Sequence, residues 1–387
     1  MKGYIAVIIA ALIHFPVLGL EKEAREMPAG GIDKALLGQI LFFDKNLSFH
    51  GNQNCASCHS PDTAFVDLRE NSADSMVSQG DDPTRFGTRN APTMLYAGYA
   101  PPFHYDEKIQ DYVGGQFWDG RAKDLAEQAG GPPINPVEMG MPDKLSVAKR
   151  LINTPMYFSL FTQHYGENVW QSVDSVYAAM EDALATFQTD KRLLRPFDAK
   201  YDKSLQGGYV MNAQEARGKQ LFFDKTKTNC ANCHQRQAAD QQEETFTNYR
   251  YYNMGVPKNR RLIVHNQLAD DFIDNGLLDN PRVNGDERQK GKFKVPTLRN
   301  VAVTAPYMHN GVFKNLRTVL EYFDHFNNPA RKLNPETQQP WDAPEYAATL
   351  NAEDLKAPPL TDDDLDALEA FLKTLTDERY EPLLKQK

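Results

Sequence analysis

Two pentapeptides constrain this chain more than anything else in it: Cys55-Ala56-Ser57-Cys58-His59 and Cys230-Ala231-Asn232-Cys233-His234. Both read C-x-x-C-H, the attachment signature of c-type haem. Two thiols three positions apart add across the two vinyl groups of one porphyrin. The histidine beside the second cysteine then lies under the iron as its proximal axial ligand. A C-x-x-C pair also suits zinc or thiol redox chemistry, and the competing reading is one zinc site built from all four cysteines. The two pentapeptides use all four cysteines of the chain and each carries its histidine. The expectation is therefore two covalently bound haems c, held by Cys55, Cys58, Cys230 and Cys233, with His59 and His234 on the irons.

The surroundings repeat as well. Leu41-Phe42-Phe43-Asp44 precedes the first pentapeptide and Leu221-Phe222-Phe223-Asp224 the second, with Gly38 matching Gly218. The offset between the motifs is 230 − 55 = 175 residues. Two unrelated sites would not share L-F-F-D, so the expected fold is mostly α: two cytochrome c-like haem domains with long irregular loops, arranged as an internal repeat. The expected domains are 21–205 and 206–387. Helical periodicity marks residues 33–43, 145–152, 157–165, 169–187 and 316–326. Phe117 to Arg121 is expected to open a helix capped by Asp119 and ended by Gly130-Gly131-Pro132-Pro133. Residues 60–88 read as a loop over the first haem, 190–212 as a linker, and Arg261 to Val264 as a strand. Thr361 caps a final helix whose buried stripe is Leu365, Leu368, Phe371, Leu372 and Leu375.

With 387 residues, 41% of them hydrophobic, the chain can bury two cores. Its net charge of −9 argues against nucleic acid or an anionic membrane surface as a partner. Lys2, the apolar run Tyr4 to Leu20 and the small residues near Gly19 read as a secretory signal over residues 1–20. An uncleaved anchor is the alternative, and the only basis for a membrane association. Either exports the chain, in keeping with c-type haem attachment outside the cytoplasm, and places it in the periplasm.

Phe117-Trp118-Asp119-Gly120-Arg121-Ala122 between the two haem motifs, and Pro306-Tyr307-Met308-His309-Asn310-Gly311 after the second, resemble the bacterial di-haem cytochrome c peroxidases and their MauG-like relatives. The resemblance spans about residues 33 to 378. It implies an N-terminal haem that reacts with hydrogen peroxide and a C-terminal haem that stores or relays electrons. Trp118 matches the tryptophan set between the haems. Gln128 and Glu138, ten and twenty residues after Trp118, match the glutamine and glutamate of the peroxide pocket. A carboxylate beside peroxide can take a proton from one oxygen and deliver it to the other. Asn90, Thr304 and Pro306 match a calcium site between the haems, where a hard cation takes oxygen ligands.

The sequence departs from that pattern twice. The peroxidases place a histidine in the loop before R-N-x-P-T, where it caps the first iron until the second haem is reduced. Residues 60–88 contain none, and neither His50 nor His104 matches. The first iron is therefore expected to be open at rest, the MauG-like condition. The family also places the distal ligand of the second haem fourteen residues after the histidine of P-Y-x-H. That position is Phe323, which cannot ligate, and 309–340 hold no methionine. Tyr322 and His325 are the neighbouring candidates; Met308 or an open site are the others. Three functions remain. The first is MauG-like oxidation of a partner protein through Trp118 and the second haem, which both departures favour. The second is removal of peroxide with electrons from a small carrier protein. The third is a non-catalytic electron-transfer cytochrome.

Overall fold

The computed structural model describes residues 32–238 and 241–385; the expected signal segment lies outside them. Asp33 starts the first helix, Lys34–Phe43, by accepting a hydrogen bond from the Leu36 amide at 2.8 Å. The buried face, Leu37, Gly38, Leu41 and Phe42, lies on the Val173–Gln188 helix. A Cβ on Gly38 would sit 1.9 Å from the Ala183 carbonyl oxygen and 2.8 Å from Phe187 Cβ. Only glycine lets these backbones approach so closely. The Ala213–Phe223 helix, capped by Asn212 with Glu215, meets the Asp362–Lys373 helix in the same way. A Cβ on Gly218 would lie 1.8 Å from the Ala367 carbonyl oxygen. Phe42 packs on Phe187 at 5.2 Å between ring centroids, and Phe222 on Phe371 at 5.3 Å.

These helix pairs nucleate two hydrophobic clusters. One gathers Leu37, Leu41, Phe42, Phe65, Met180, Ala183 and Phe187; the other gathers Phe222, Phe246, Tyr322, Leu365, Leu368 and Phe371. Each fully buried phenylalanine contributes about 1.5–3 kcal/mol. Helices dominate the described residues. The sheet pairings among them are two-stranded, the longest being the hairpin His104–Asp106 with Asp111–Val113. Among the described residues, no helix is long and apolar enough to cross a membrane.

Several local expectations are corrected. Phe117 to Arg121 opens no helix: Phe117 and Gly120 have positive φ, and Asp124 caps the Leu125–Ala129 helix. Asp119 is instead buried between Arg89 and Arg121. Pro132 and Pro133 begin a further turn, Gly131–Ile134, where the missing proline N–H costs nothing. Arg261 to Val264 is helical, within Arg260–His265, because the Asn259 side chain caps it. The 169–187 helix breaks at Ser172, which caps its longer part. Residues 190–212 hold two short helices with Leu194, Ala199 and Tyr201 buried, so this stretch is packed structure.

After Lys373 the chain returns to the first cluster. Tyr96 donates its hydroxyl to Asp377 Oδ1 at 2.5 Å, and Asn300 Nδ2 donates to Oδ2 at 2.6 Å. Tyr380, buried in the first cluster, donates to the Pro61 carbonyl at 3.0 Å.

Candidate functional site

Both pentapeptides form a single helical turn, Cys55–Cys58 and Cys230–Cys233, which puts each cysteine pair on one face. None of the four cysteines is in a disulfide. Among the described residues no three histidine, cysteine or acidic side chains are grouped to hold a metal ion, so the four-cysteine zinc site is not formed. His59 Nδ1 lies 3.0 Å from the Phe65 carbonyl, and His234 Nδ1 3.0 Å from the Phe246 carbonyl. A carbonyl only accepts, so Nδ1 donates and each Nε2 keeps its lone pair, the arrangement that orients a metal-ligating imidazole. Burial pushes the His234 imidazole down to about 4, so the ring is neutral at pH 7. Thr93 Oγ1 donates to the Ala64 carbonyl and Thr297 Oγ1 to the Thr245 carbonyl, both at 2.6 Å, holding the two accepting segments. Beside the second turn, where the Asn248 amide donates to the Cys233 carbonyl at 3.0 Å, the Tyr249 hydroxyl and Arg250 Nε are buried without a hydrogen-bond partner among the described residues. Paired thiols and a lone-pair nitrogen at each mount fit a haem, and the orphaned donors beside the second suit its anionic propionates.

Glu138 stands near the first mount, close enough for its charge to push up the Cys55 and Cys58 thiols alongside their burial. Its main chain is clamped from two sides. The Phe49 amide donates to the Met139 carbonyl at 2.8 Å and the Asp81 amide to the Glu138 carbonyl at 2.6 Å. Burial raises the Glu138 carboxyl above its ordinary value, against the pull of Arg121 and a hydrogen bond from Asn135. A raised carboxyl keeps its proton more readily than an ordinary one, which suits a group that passes protons. Gln128 sits on the Leu125–Ala129 helix, and its side-chain amide makes no hydrogen bond among the described residues.

Trp118 lies on the seam between the halves. Its indole Nε1 donates to the Asn90 carbonyl at 2.9 Å, and its own carbonyl accepts from the Lys294 amide at 2.8 Å. The Asn90 amide donates to the His309 carbonyl at 2.7 Å, which brings Asn90 beside the segment carrying Thr304 and Pro306. Arg89 locks this region with a fork to Asp274, both bonds 2.7 Å, and a 2.5 Å bond to Asp119. Burial pushes the Asp274 carboxyl up, but Arg89's hydrogen bonds and charge outweigh it and hold the group below its ordinary value. The Phe293 ring is stacked on His309 at 3.6 Å. Arg89, Asp274, Lys294 and Phe293 escape the sequence reading. The one signal is that Arg89-Asn90 recurs as Arg299-Asn300, where Arg299 forks onto the buried Asp202.

Tyr322 is buried and donates its hydroxyl to the Met254 carbonyl at 2.9 Å; burial pushes its phenol well up. His325 bonds through Nδ1 to the Tyr322 carbonyl and stacks on Trp341 at 4.9 Å. Phe323 is 36% exposed.

A family profile described as di-haem cytochrome c peroxidase matches residues 32–209. The methylamine utilization protein MauG of Paracoccus denitrificans is 45% identical over 388 residues, covering 99% of this chain and 97% of that protein. The chain belongs to the di-haem cytochrome c peroxidase and MauG family. A cytochrome c551 peroxidase of Nitrosomonas europaea, 32% identical over 290 residues, covers 75% of the chain and 72% of its own length. The crystal structure of the di-haem peroxidase BthA from Burkholderia thailandensis superposes with a TM-score of 0.78 at 31% identity, over 90% of this chain and 87% of that one. As a member of this family the chain is an oxidoreductase, and the two mounts answer to the family's two haems. With an enzyme established, the non-catalytic cytochrome reading is set aside.

Proposed function

We propose that this member of the family is a periplasmic di-haem c enzyme that reduces hydrogen peroxide at the N-terminal mount and draws the electrons from a partner protein, as the MauG-like relatives do. The observation that carries this reading is the absence of a spare histidine for the first iron. Residues 60–88 contain none. His50 is engaged by Asp81 at 2.6 Å, and His104 by the Pro102 carbonyl at 2.8 Å. The full-length likeness to MauG supports it further.

The four thiols attach the porphyrins covalently, and His59 and His234 hold the irons. When bound, the first haem supplies the electrons that cleave the O–O bond. Glu138 takes a proton from the nearer oxygen and delivers it to the departing one, and the unengaged Gln128 amide orients the peroxide. Trp118, fixed by Asn90 and Lys294, relays electrons between the halves. Calcium, where it binds, is held by oxygens of Asn90, Thr304 and Pro306 and stiffens the seam. The two clusters and the matched Gly38 and Gly218 crossings support two haem domains, 21–205 and 206–387, derived by duplication. The segment 1–20 exports them.

Peroxide added to the oxidised holoprotein without reductant should change both haem bands at once. A requirement for prior reduction would instead favour the peroxidase that uses a small electron carrier. For the second iron, Tyr322→Phe or His325→Ala should alter that haem's spectrum; no change in either places the distal ligand elsewhere.

A further inference from the structure

The hairpin His104–Asp106/Asp111–Val113 sets two tyrosines directly opposite each other, Tyr105 and Tyr112. Their ring centroids are 5.1 Å apart. Tyr112 stacks on Phe103 at 5.4 Å with planes 10° apart, and Phe103 meets Tyr251 edge-on at 6.0 Å. Exposure falls along the series, from 40% at Tyr105 to 1% at Tyr251.

The inner end of the series touches both parts of the proposed relay. The Tyr251 hydroxyl donates to the Gly114 carbonyl, and a Cβ on Gly120 would lie 2.9 Å from Tyr251 Cζ, so the phenol rests on the backbone two residues from Trp118. Tyr251 also pairs with Lys294, whose amide donates to the Trp118 carbonyl. The next residue, Tyr252, accepts from Asn248 Nδ2 at 3.1 Å, and the Asn248 main-chain amide in turn donates to the Cys233 carbonyl. A second tether fixes the hairpin to that strand: Arg250 pairs with Asp111 at 2.9 Å and lies over the Tyr252 ring at 5.5 Å.

Packing alone does not call for this composition. Leu277 and Val283 complete the small core around Phe103 and Tyr251, whereas Tyr105 lies outside that core and is 40% exposed. A phenol gives up an electron readily when its proton has an acceptor. The Tyr105 hydroxyl has one in Gln110 Oε1, at 3.4 Å, with solvent around it.

We propose that Tyr105 is a surface site of one-electron oxidation at which small phenols are oxidised, connected inward through Tyr112, Phe103 and Tyr251 to the Trp118 segment and the Cys233 mount. This rests on the peroxide reaction proposed above. Peroxide takes two electrons and two protons to give two waters. Each electron drawn from Tyr105 leaves a tyrosyl radical, and its proton passes to solvent. A phenol, ArOH, returns a hydrogen atom to the tyrosyl oxygen and departs as ArO•. The sum is H2O2 + 2 ArOH → 2 H2O + 2 ArO•. Asp106, Glu107 and Lys108 follow Tyr105 on the hairpin, while Asp111 is paired with Arg250.

The test uses the holoprotein, hydrogen peroxide and guaiacol, with the haem bands recorded in the same samples. Without guaiacol, two Tyr105 radicals from different chains should couple, giving a covalent dimer on a denaturing gel that peptide mass spectrometry maps to Tyr105. Tyr105→Phe should abolish that dimer and lower guaiacol oxidation about tenfold, a barrier rise of about 1.4 kcal/mol. Tyr112→Phe, which keeps the stacked ring and removes its phenol, should lower both. Guaiacol oxidation that is unchanged in Tyr105→Phe, or a dimer mapped to other residues, would overturn the proposal while haem bands that respond to peroxide leave the reading of the first mount intact. Haem bands that ignore peroxide would overturn both.

Discussion

At Glu138 the proposed proton transfer rests on one carboxyl whose main chain is held by hydrogen bonds on both sides. Because the clamp runs through the Glu138 and Met139 carbonyls, Glu138→Gln leaves the loop in place and removes only the proton carrier. The peroxide-induced change of the haem bands should then slow by ~10²–10⁴-fold, with the resting spectrum retained. An unchanged rate in a stopped-flow experiment would take the role from Glu138. The histidines follow a related logic. Their Nδ1 partners at Phe65 and Phe246 are carbonyls, so the orientation of His59 and His234 is written into the backbone and survives substitution of either phenylalanine side chain better than any movement of its segment.

At the scale of elements, the two glycine crossings carry the packing. A methyl at Gly218 meets the Ala367 carbonyl, which is helix backbone and cannot move aside as a flexible side chain would. Gly218→Ala should therefore cost about 1–3 kcal/mol or more, read as a lower midpoint in urea. This crossing could be read from the sequence in part, because Gly38 and Gly218 recur at the same distance from L-F-F-D. The Thr361 cap was legible for the same local reason: it bonds an amide three residues away. What failed depended on distant partners. Asp119 precedes a helical pattern and looks like its cap, but Arg89, 30 positions earlier, claims the carboxylate and Asp124 takes the capping role. Ile263 and Val264 suggest a strand by β-branching. The Asn259 cap and the burial of Leu262 and Ile263 on one side, with Val264 77% exposed, make that turn helical instead. The two C-x-x-C-H turns were legible because each is a local pattern of five residues; Arg89, Asp274 and Lys294 were not, because only folding brings them to Trp118.

Over the whole molecule, the halves are joined through Trp118, through Arg89 with Asp274, and through Asp377. Burial pushes the Asp377 carboxyl up to about 6, despite hydrogen bonds from Asn300 and Tyr96 and the charge of Arg299. The folded chain thus holds this proton more tightly than the unfolded chain. Its contribution is fully present below the ordinary carboxylate range and is lost as pH rises through about 6. The loss is roughly 3 kcal/mol. Asp377→Asn should gain on the wild type by about that amount between pH 4 and pH 7, measured by denaturant midpoints at each pH. A constant difference across that interval would show that Asp377 does not titrate there.

The return of the chain at Tyr380 also orders events in time. Its hydroxyl reaches the Pro61 carbonyl across a separation of 319 residues, just beyond the first pentapeptide. Cys55, Cys58 and His59 leave the ribosome long before the residues that close their domain exist. The pocket beside the first pentapeptide is therefore completed by a residue that is synthesised only after both pentapeptides have been made.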